Sequence, residues 1–293
     1  GVGGCVGGGV GGCVGGGVGR CGRGFLMIIT VQGATLYVYT GGRDFDAAKP
    51  TMLFIHGVLN DHSVWGLQSR YFAHHGWNVL VPDLPGHNRS PGAPPDSVEA
   101  AALAVIALLD TMQIDRIVLI GHSFGSLIAL EAASRIPDRV DRLALLGIAY
   151  PMRVSEALLE ASVKAPEEAI RLVTRFSYSG LAAPPSALGP GTWLPGLGRA
   201  LMRRVLASNP DHNPFYAGFL ACDRYKGGDS AIARVHCPIL FMLGDKDQMT
   251  PPKGAQALID QAHAAQVLRL QAGHQMMSEA PDQLLEGLRV FVK

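Results

Sequence analysis

The chain has 293 residues and a formal charge of +1, from 25 basic and 24 acidic side chains. Hydrophobic residues make up 48% and charged residues 17%, a globular composition that excludes a largely disordered chain, and the even charge balance argues against a nucleic-acid coat or a polybasic membrane anchor. The longest unbroken apolar run, Ala100 to Leu109, is too short to span a bilayer and suits a buried helix.

Residues 1–24 contain only Gly, Val, Cys and Arg, in three octads of which the second repeats the first letter for letter. With no large side chain to bury and a high entropic cost of ordering, this tail is expected to be disordered. Met27 is the first methionine and directly precedes a strand-like run. The expectation is that the native protein starts near Met27 and that the octads are upstream sequence. Without Arg20 and Arg23 the formal charge of +1 becomes −1. Cys5, Cys13 and Cys21 owe their spacing to the repeat and do not form a metal-binding pattern. Cys222 and Cys237 are too few for a disulfide framework, so a reducing, cytoplasmic setting is expected. G-x-G-x-x-G occurs at Gly7-Gly9-Gly12 and Gly17-Gly19-Gly22, but neither match follows a strand or opens a helix, so no dinucleotide site is inferred.

From Phe25 onward strand and helix signals alternate. Phe25–Val31 and Thr35–Tyr39, with Gly33 between them, predict a hairpin. Apolar runs at Met52–Ile55, Asn78–Val81, Ile117–Ile120, Leu143–Leu146, Ile239–Leu243 and Val267–Leu270 suit strands buried on both faces. Helical stretches at Val64–His75, Ser97–Met112, Ser123–Arg135, Gly254–Ala264 and Asp282–Phe291 lie between or after them. This order predicts a mostly parallel sheet of about eight strands with helices on both faces.

The alternation stops between Pro151 and Val235. Pro166, followed by Glu167 and Glu168, suits a helix start. Asn213-Pro214 opens another helix running to about Arg224, and Ala183–Gly198, rich in Pro and Gly, reads as a loop. Residues 151–235 are therefore expected to form a helical cap, with 25–150 and 236–293 as the α/β core.

Gly121-His122-Ser123-Phe124-Gly125 matches G-x-S-x-G. The string is short, and its frame carries the weight: a strand precedes it and a helix follows, as a nucleophile elbow requires. A serine hydroxyl needs a base to take its proton and a carboxylate to orient that base. The strand Ile239–Leu243 runs into Gly244-Asp245-Lys246-Asp247, and Val267–Leu270 runs into Gln271-Ala272-Gly273-His274. An acid and a histidine thus follow successive strands at the sheet edge that carries Ser123. The order Ser, Asp, His differs from those of chymotrypsin-type and subtilisin-type chains.

These motifs, with Leu53-Phe54-Ile55-His56-Gly57 and Pro82-Asp83-Leu84-Pro85-Gly86-His87-Asn88-Arg89-Ser90, resemble the α/β-hydrolase fold superfamily in its capped, esterase-like serine hydrolase branch. The resemblance covers about Met27 to the C-terminus. It implies Ser123 as nucleophile, His274 as base and Asp247 as acid, with Asp245 as the alternative. It implies an oxyanion hole from the backbone N–H groups of Phe124 and Val58, with Leu59 as the other second donor, and it implies no cofactor. Asn88 stands where the family usually has glycine, though Asn tolerates left-handed backbone. The oxyanion loop lacks the glycine run of many lipases, which weakens a lipase reading.

His122 is expected to point away from Ser123 and to pack, His56 to hold the oxyanion loop, and His87 to be a loop residue. His62 beside Asp61 lacks the further histidines of a metallo-hydrolase motif, and H-E-x-x-H is missing, so no metal is expected. Phe215 and Phe219 share a helix face; with Trp193 and Leu220 they would line an apolar cavity, or pack the cap on the core. The expected substrate is a small molecule: a small or medium apolar carboxylic ester, lactone or thioester. The alternatives on the same triad are C–C bond hydrolysis and cofactor-free haloperoxidase or perhydrolase-type activity; outside catalysis, a slow-turnover ligand-binding receptor remains.

Overall fold

The computed structural model describes residues 26–180 and 192–293; the octads and most of the stretch 183–198 lie outside the described residues. Eight strands form one sheet: β1 (Leu26–Val31), β2 (Ala34–Tyr39), β3 (Thr51–Ile55), β4 (Asn78–Pro82), β5 (Ile117–His122), β6 (Val140–Leu146), β7 (Ile239–Gly244) and β8 (Ala265–Leu270). Their order across the sheet is β1-β2-β4-β3-β5-β6-β7-β8. The first two strands pair antiparallel, and β2 joins β4 antiparallel. From β4 to β8 every pairing is parallel. Gln32 and Gly33, both at positive φ, close the β1–β2 hairpin as a two-residue turn whose twist matches the strands.

The helices are α1 (Gly66–Ala73), α2 (Val98–Thr111), α3 (Phe124–Arg135), α4 (Glu156–Lys164), α5 (Pro166–Ser177), α6 (Leu194–Ala207), α7 (Pro214–Arg224), α8 (Gly228–Ile232), α9 (Gln256–Gln261), α10 (Met276–Glu279) and α11 (Pro281–Phe291). Alternate strand residues feed two apolar layers. Leu53 and Ile55 of β3 join the cluster under α2 and α3; Met52 and Phe54 join Trp65, Phe72 and Phe291 on the other face. Burial on both faces explains the unbroken apolar runs, and each fully buried Leu or Phe contributes about 1.5–3 kcal/mol.

Between β6 and β7 lie α4 to α8. Ile170, Val205, Phe215 and Phe219 form a separate apolar cluster among them, joined by Leu59 from the loop after β3. Ala221, Tyr225, Ile232 and Val235, at the end of this insertion, instead join the layer under α3. Tyr225 clamps them there by donating its hydroxyl hydrogen to Glu131 Oε2 at 2.7 Å.

The stretch read as a loop up to Gly198 is corrected at its end, where α6 begins at Leu194. Its proline falls in the first turn, where no intrahelical bond is lost. Gly196 and Gly198 make room for the ring of Trp193 and the hydroxyl of Tyr178. These two glycines mark close packing and not a break. The helix α4, capped by Ser155 accepting from Leu158 N–H, went unread.

β5 ends in a sharp strand-to-helix turn. Ser123 follows it at φ 56°, ψ −120°, and α3 begins at Phe124. A Cβ on Gly121 would overlap the carbonyl of Gly125, and one on Gly125 would overlap the carbonyls of Ile55 and His56. α3 therefore folds back on β5 and β3 at backbone contact distance. Gly125→Ala is expected to lower stability by at least about 1–3 kcal/mol, read from the urea midpoint. An unchanged midpoint would show that the backbone can give way.

Candidate active site

Because β3, β5, β7 and β8 run parallel, the loops after them meet at one sheet edge. Ser123 follows β5, Val58 follows β3, Asp247 follows β7 and His274 follows β8. His274 Nδ1 lies 2.8 Å from Asp247 Oδ2. The other carboxylate oxygen, Oδ1, accepts from the backbone N–H groups of Met249 at 2.9 Å and Thr250 at 2.8 Å. The Thr250 hydroxyl sits 2.8 Å from Asp247 Oδ2, 2.9 Å from the Gly147 carbonyl and 3.0 Å from His274 Nδ1. Thr250 is a partner that sequence reading missed; only its place three residues after Asp247 hints at it.

Asp247 and His274 are both nearly fully buried. Burial by itself would raise the Asp247 carboxyl. The imidazole of His274 and the donors from Thr250 outweigh it and hold the pKa below the ordinary carboxylate value. Asp245 is turned outward to Arg269 and Gln271, so Asp247 is the carboxylate that reaches the imidazole.

Ser123 and His274 line one cavity of about 380 Å³, together with Thr250 and the apolar side chains of Val58, Val173, Phe176, Phe219 and Met249. Gly57 passes so close to the serine that an added Cβ would stand 3.2 Å from Ser123 Cβ. A similar Cβ on Gly147 would stand 3.2 Å from His274 Nδ1. The N–H of Phe124, at the first position of α3, is one of those a helix cannot satisfy from within. A wider cleft of about 930 Å³ between α1 and α6 has neither Ser123 nor His274 in its described lining.

The three pocket residues read from the sequence fare differently. Phe219 lines the cavity. Phe215 does not: it is fully buried behind Phe219, ring centroids 5.1 Å apart, in the core of the inserted helices. Trp193 is corrected outright. It precedes α6, is 61% exposed, and its ring meets the guanidinium of Arg199; Leu194 turns inward in its place. Cys222 also borders the cavity, and burial pushes its thiol well above the ordinary value, leaving it protonated.

His56, His87 and His122 hold backbone. His56 Nε2 accepts from Leu84 N–H at 3.0 Å, which puts the ring proton on Nδ1, donated to the Gly57 carbonyl at 2.9 Å. His122 Nε2 donates to the carbonyl of His274 at 2.9 Å, with the two rings 4.6 Å apart. Burial lowers the pKa of His122 and of His87 to about 3, so both are neutral. Asn88 does adopt left-handed backbone, φ 45°. Asp61, His62 and Asp83 bring ligand-type atoms within 4.8 Å of one another. Their oxygens already accept from Arg204, Ser63 N–H, His62, Asn88 and Arg89 N–H, which ties two loops together.

No helix among the described residues is long and apolar enough to cross a membrane. A pimeloyl-[acyl-carrier protein] methyl ester esterase of Neisseria meningitidis is 32% identical over 226 residues, 73% of this chain and 81% of that protein. Lipase LipV of Mycobacterium tuberculosis is 37% identical over 121 residues, 40% of this chain; the chain spans only 44% of that relative's length. An esterase from Exiguobacterium antarcticum shares the fold with a TM-score of 0.77 at 17% identity, over 92% of this chain and 99% of that one. The model of the alpha/beta hydrolase family matches residues 52–286, and with the sheet order and the loops gathered at its edge this shows that the chain belongs to the alpha/beta hydrolase family.

Proposed function

We propose that the chain is a serine hydrolase that cleaves small or medium apolar carboxylic esters, lactones or thioesters through an acyl-enzyme on Ser123. The observation that carries this reading is one cavity, mostly apolar, bordered by Ser123 and by a histidine whose Nδ1 lies 2.8 Å from a buried carboxylate. With the Nδ1 proton donated to Asp247, His274 keeps its Nε2 lone pair for the serine proton.

Ser123 Oγ attacks the acyl carbon as His274 takes the hydroxyl proton. The N–H groups of Phe124 and Val58 receive the developing oxyanion; losing one such donor typically costs about 100- to 1,000-fold in rate. His274 then gives its proton to the departing alcohol or thiol. It next removes a proton from water, whose oxygen attacks the acyl carbon and frees Ser123. The lining supports an apolar acyl group. Val173, Phe176, Phe219 and Met249 present apolar side chains to the cavity, and Arg153 is the one arginine in its described lining.

A graded panel of p-nitrophenyl esters tests the proposal. A burst of nitrophenol stoichiometric with protein is expected, abolished by Ser123→Ala with at least about a 1,000-fold loss of kcat. Turnover that survives in Ser123→Ala would overturn it.

The pH dependence follows from the roles. Asp247 orients the imidazole only while ionised, and its carboxyl is held below the ordinary carboxylate value. Protonation of Asp247 is therefore expected to cut kcat/KM only below the ordinary carboxylate range, a fall that Asp247→Asn removes. A loss of kcat/KM removed by Asp247→Asn but centred above that range would count against Asp247 as the paired carboxylate.

A further inference from the structure

His274 and its two chain neighbours are held at four backbone points, and only one of these bonds reaches the sheet core. The carbonyl of His274 accepts from His122 Nε2 at 2.9 Å. Its N–H donates to the carbonyl of Ser177, the last residue of α5, at 2.7 Å, and the N–H of Gln275 shares that carbonyl at 3.2 Å. The residue before it, Gly273, donates its N–H to Glu279 Oε2 at 2.6 Å. The other oxygen of the same carboxylate, Oε1, accepts from the N–H of Ser179 at 2.8 Å and from its hydroxyl at 2.6 Å.

Glu279 is only 8% exposed. An acidic side chain is rarely so buried unless its oxygens are fully engaged. Here one oxygen engages the loop that carries His274, and the other engages the segment leaving α5. A Cβ on Gly273 would come within 2.6 Å of the Ser177 carbonyl and 2.8 Å of both Glu279 Oε2 and the Ser179 nitrogen. The two backbones can approach this closely only at a glycine. α5 also supplies Val173 and Phe176 to the cavity wall. The helix that borders the acyl site and the loop that carries the base are therefore joined through one carboxylate.

We infer that Glu279 is a positioning residue for His274, clamping the His274 loop to the end of α5 so that the imidazole stays in register with both Asp247 and the cavity. Glu279 touches neither substrate nor reacting atoms; it acts through the backbone of Gly273. The inference rests on the proposed serine hydrolase reading, in which His274 is the base. A carboxylate is needed because all three groups facing it are donors. An amide in its place would turn an NH2 group on one of them, losing a bond and adding a donor–donor conflict.

Two variants test this, Glu279→Gln and Ser179→Ala, the second removing the hydroxyl donor to Oε1. Active sites are titrated by the p-nitrophenyl ester burst so that rates refer to folded, competent protein. In Glu279→Gln, kcat per titrated site is expected to fall about 10- to 100-fold, as for a misplaced catalytic group. KM is expected to change less than about threefold, because the end of α5 keeps its bond from His274 N–H to the Ser177 carbonyl. Ser179→Ala is expected to show a smaller loss of the same kind, and it carries the test if Glu279→Gln does not fold. A second readout needs no turnover. The downfield NMR resonance of the His274 Nδ1 proton, bonded to Asp247 in the wild type, is expected to broaden or shift in both variants. Unchanged kcat per site and an unmoved resonance, with stability alone reduced, would overturn the assignment and leave Glu279 as a packing residue. A wild type without any ester burst would overturn the hydrolase reading instead, and the resonance would still decide whether Glu279 positions His274.

Discussion

Ser123 holds a backbone conformation that costs an ordinary residue about 1–3 kcal/mol, and the rest of the site is arranged around that one strained position. Relaxation is blocked from both sides. The N–H of Ser123 is tied to the Leu146 carbonyl of β6 at 2.9 Å, and its carbonyl accepts from Ser126 N–H at 2.8 Å. The backbones of Gly121 and Gly125 touch where any side chain would intrude. Packing of α3 against β5 and β3 offsets the strain and holds the hydroxyl at the sheet edge. The parallel arrangement then does the remaining work, because the loops that carry Val58, Ser123, Asp247 and His274 leave their strands at that same edge.

The electrostatics follow from burial. Around the serine the structure gathers His56, His87, His122, Asp61, Asp83, Asp247 and His274, most of them out of water. An uncompensated charge there would be costly. His87 and His122 meet that constraint by staying neutral, and Asp61 by meeting Arg204 and the donors of Ser63. Asp247 keeps its charge because His274, Met249 N–H and Thr250 surround it. Asp247 is thus the ionised group that faces the imidazole, and it fixes the imidazole's tautomer and direction.

Much of the fold was legible because strands buried on both faces leave continuous apolar runs, as in Met52–Ile55 and Ile239–Leu243. The elbow was legible because its geometry admits only glycine at positions 121 and 125. The choice of Asp247 over Asp245 was open in the spacing and became visible in Arg269, which draws Asp245 outward. The inserted helices were harder to read. Their residues pack on one another and on both the core and the cavity, so periodicity shows that a face is buried without showing against what. Phe215 and Phe219 share a helix face, yet only the second reaches the cavity. Trp193 precedes Leu194 by one residue, and the start of α6 decides which of them turns inward. Glu279 leaves little local signal: Gly273 stands six residues before it, but Ser179 meets it only through the tertiary fold.

Peptide mass mapping after reaction with a fluorophosphonate tests the central claim most directly, that Ser123 is the activated hydroxyl of this chain. One phosphonyl adduct, confined to the peptide that contains Ser123 and lost in Ser123→Ala, is the expected result. An adduct on another residue, or none on folded protein, would contradict it.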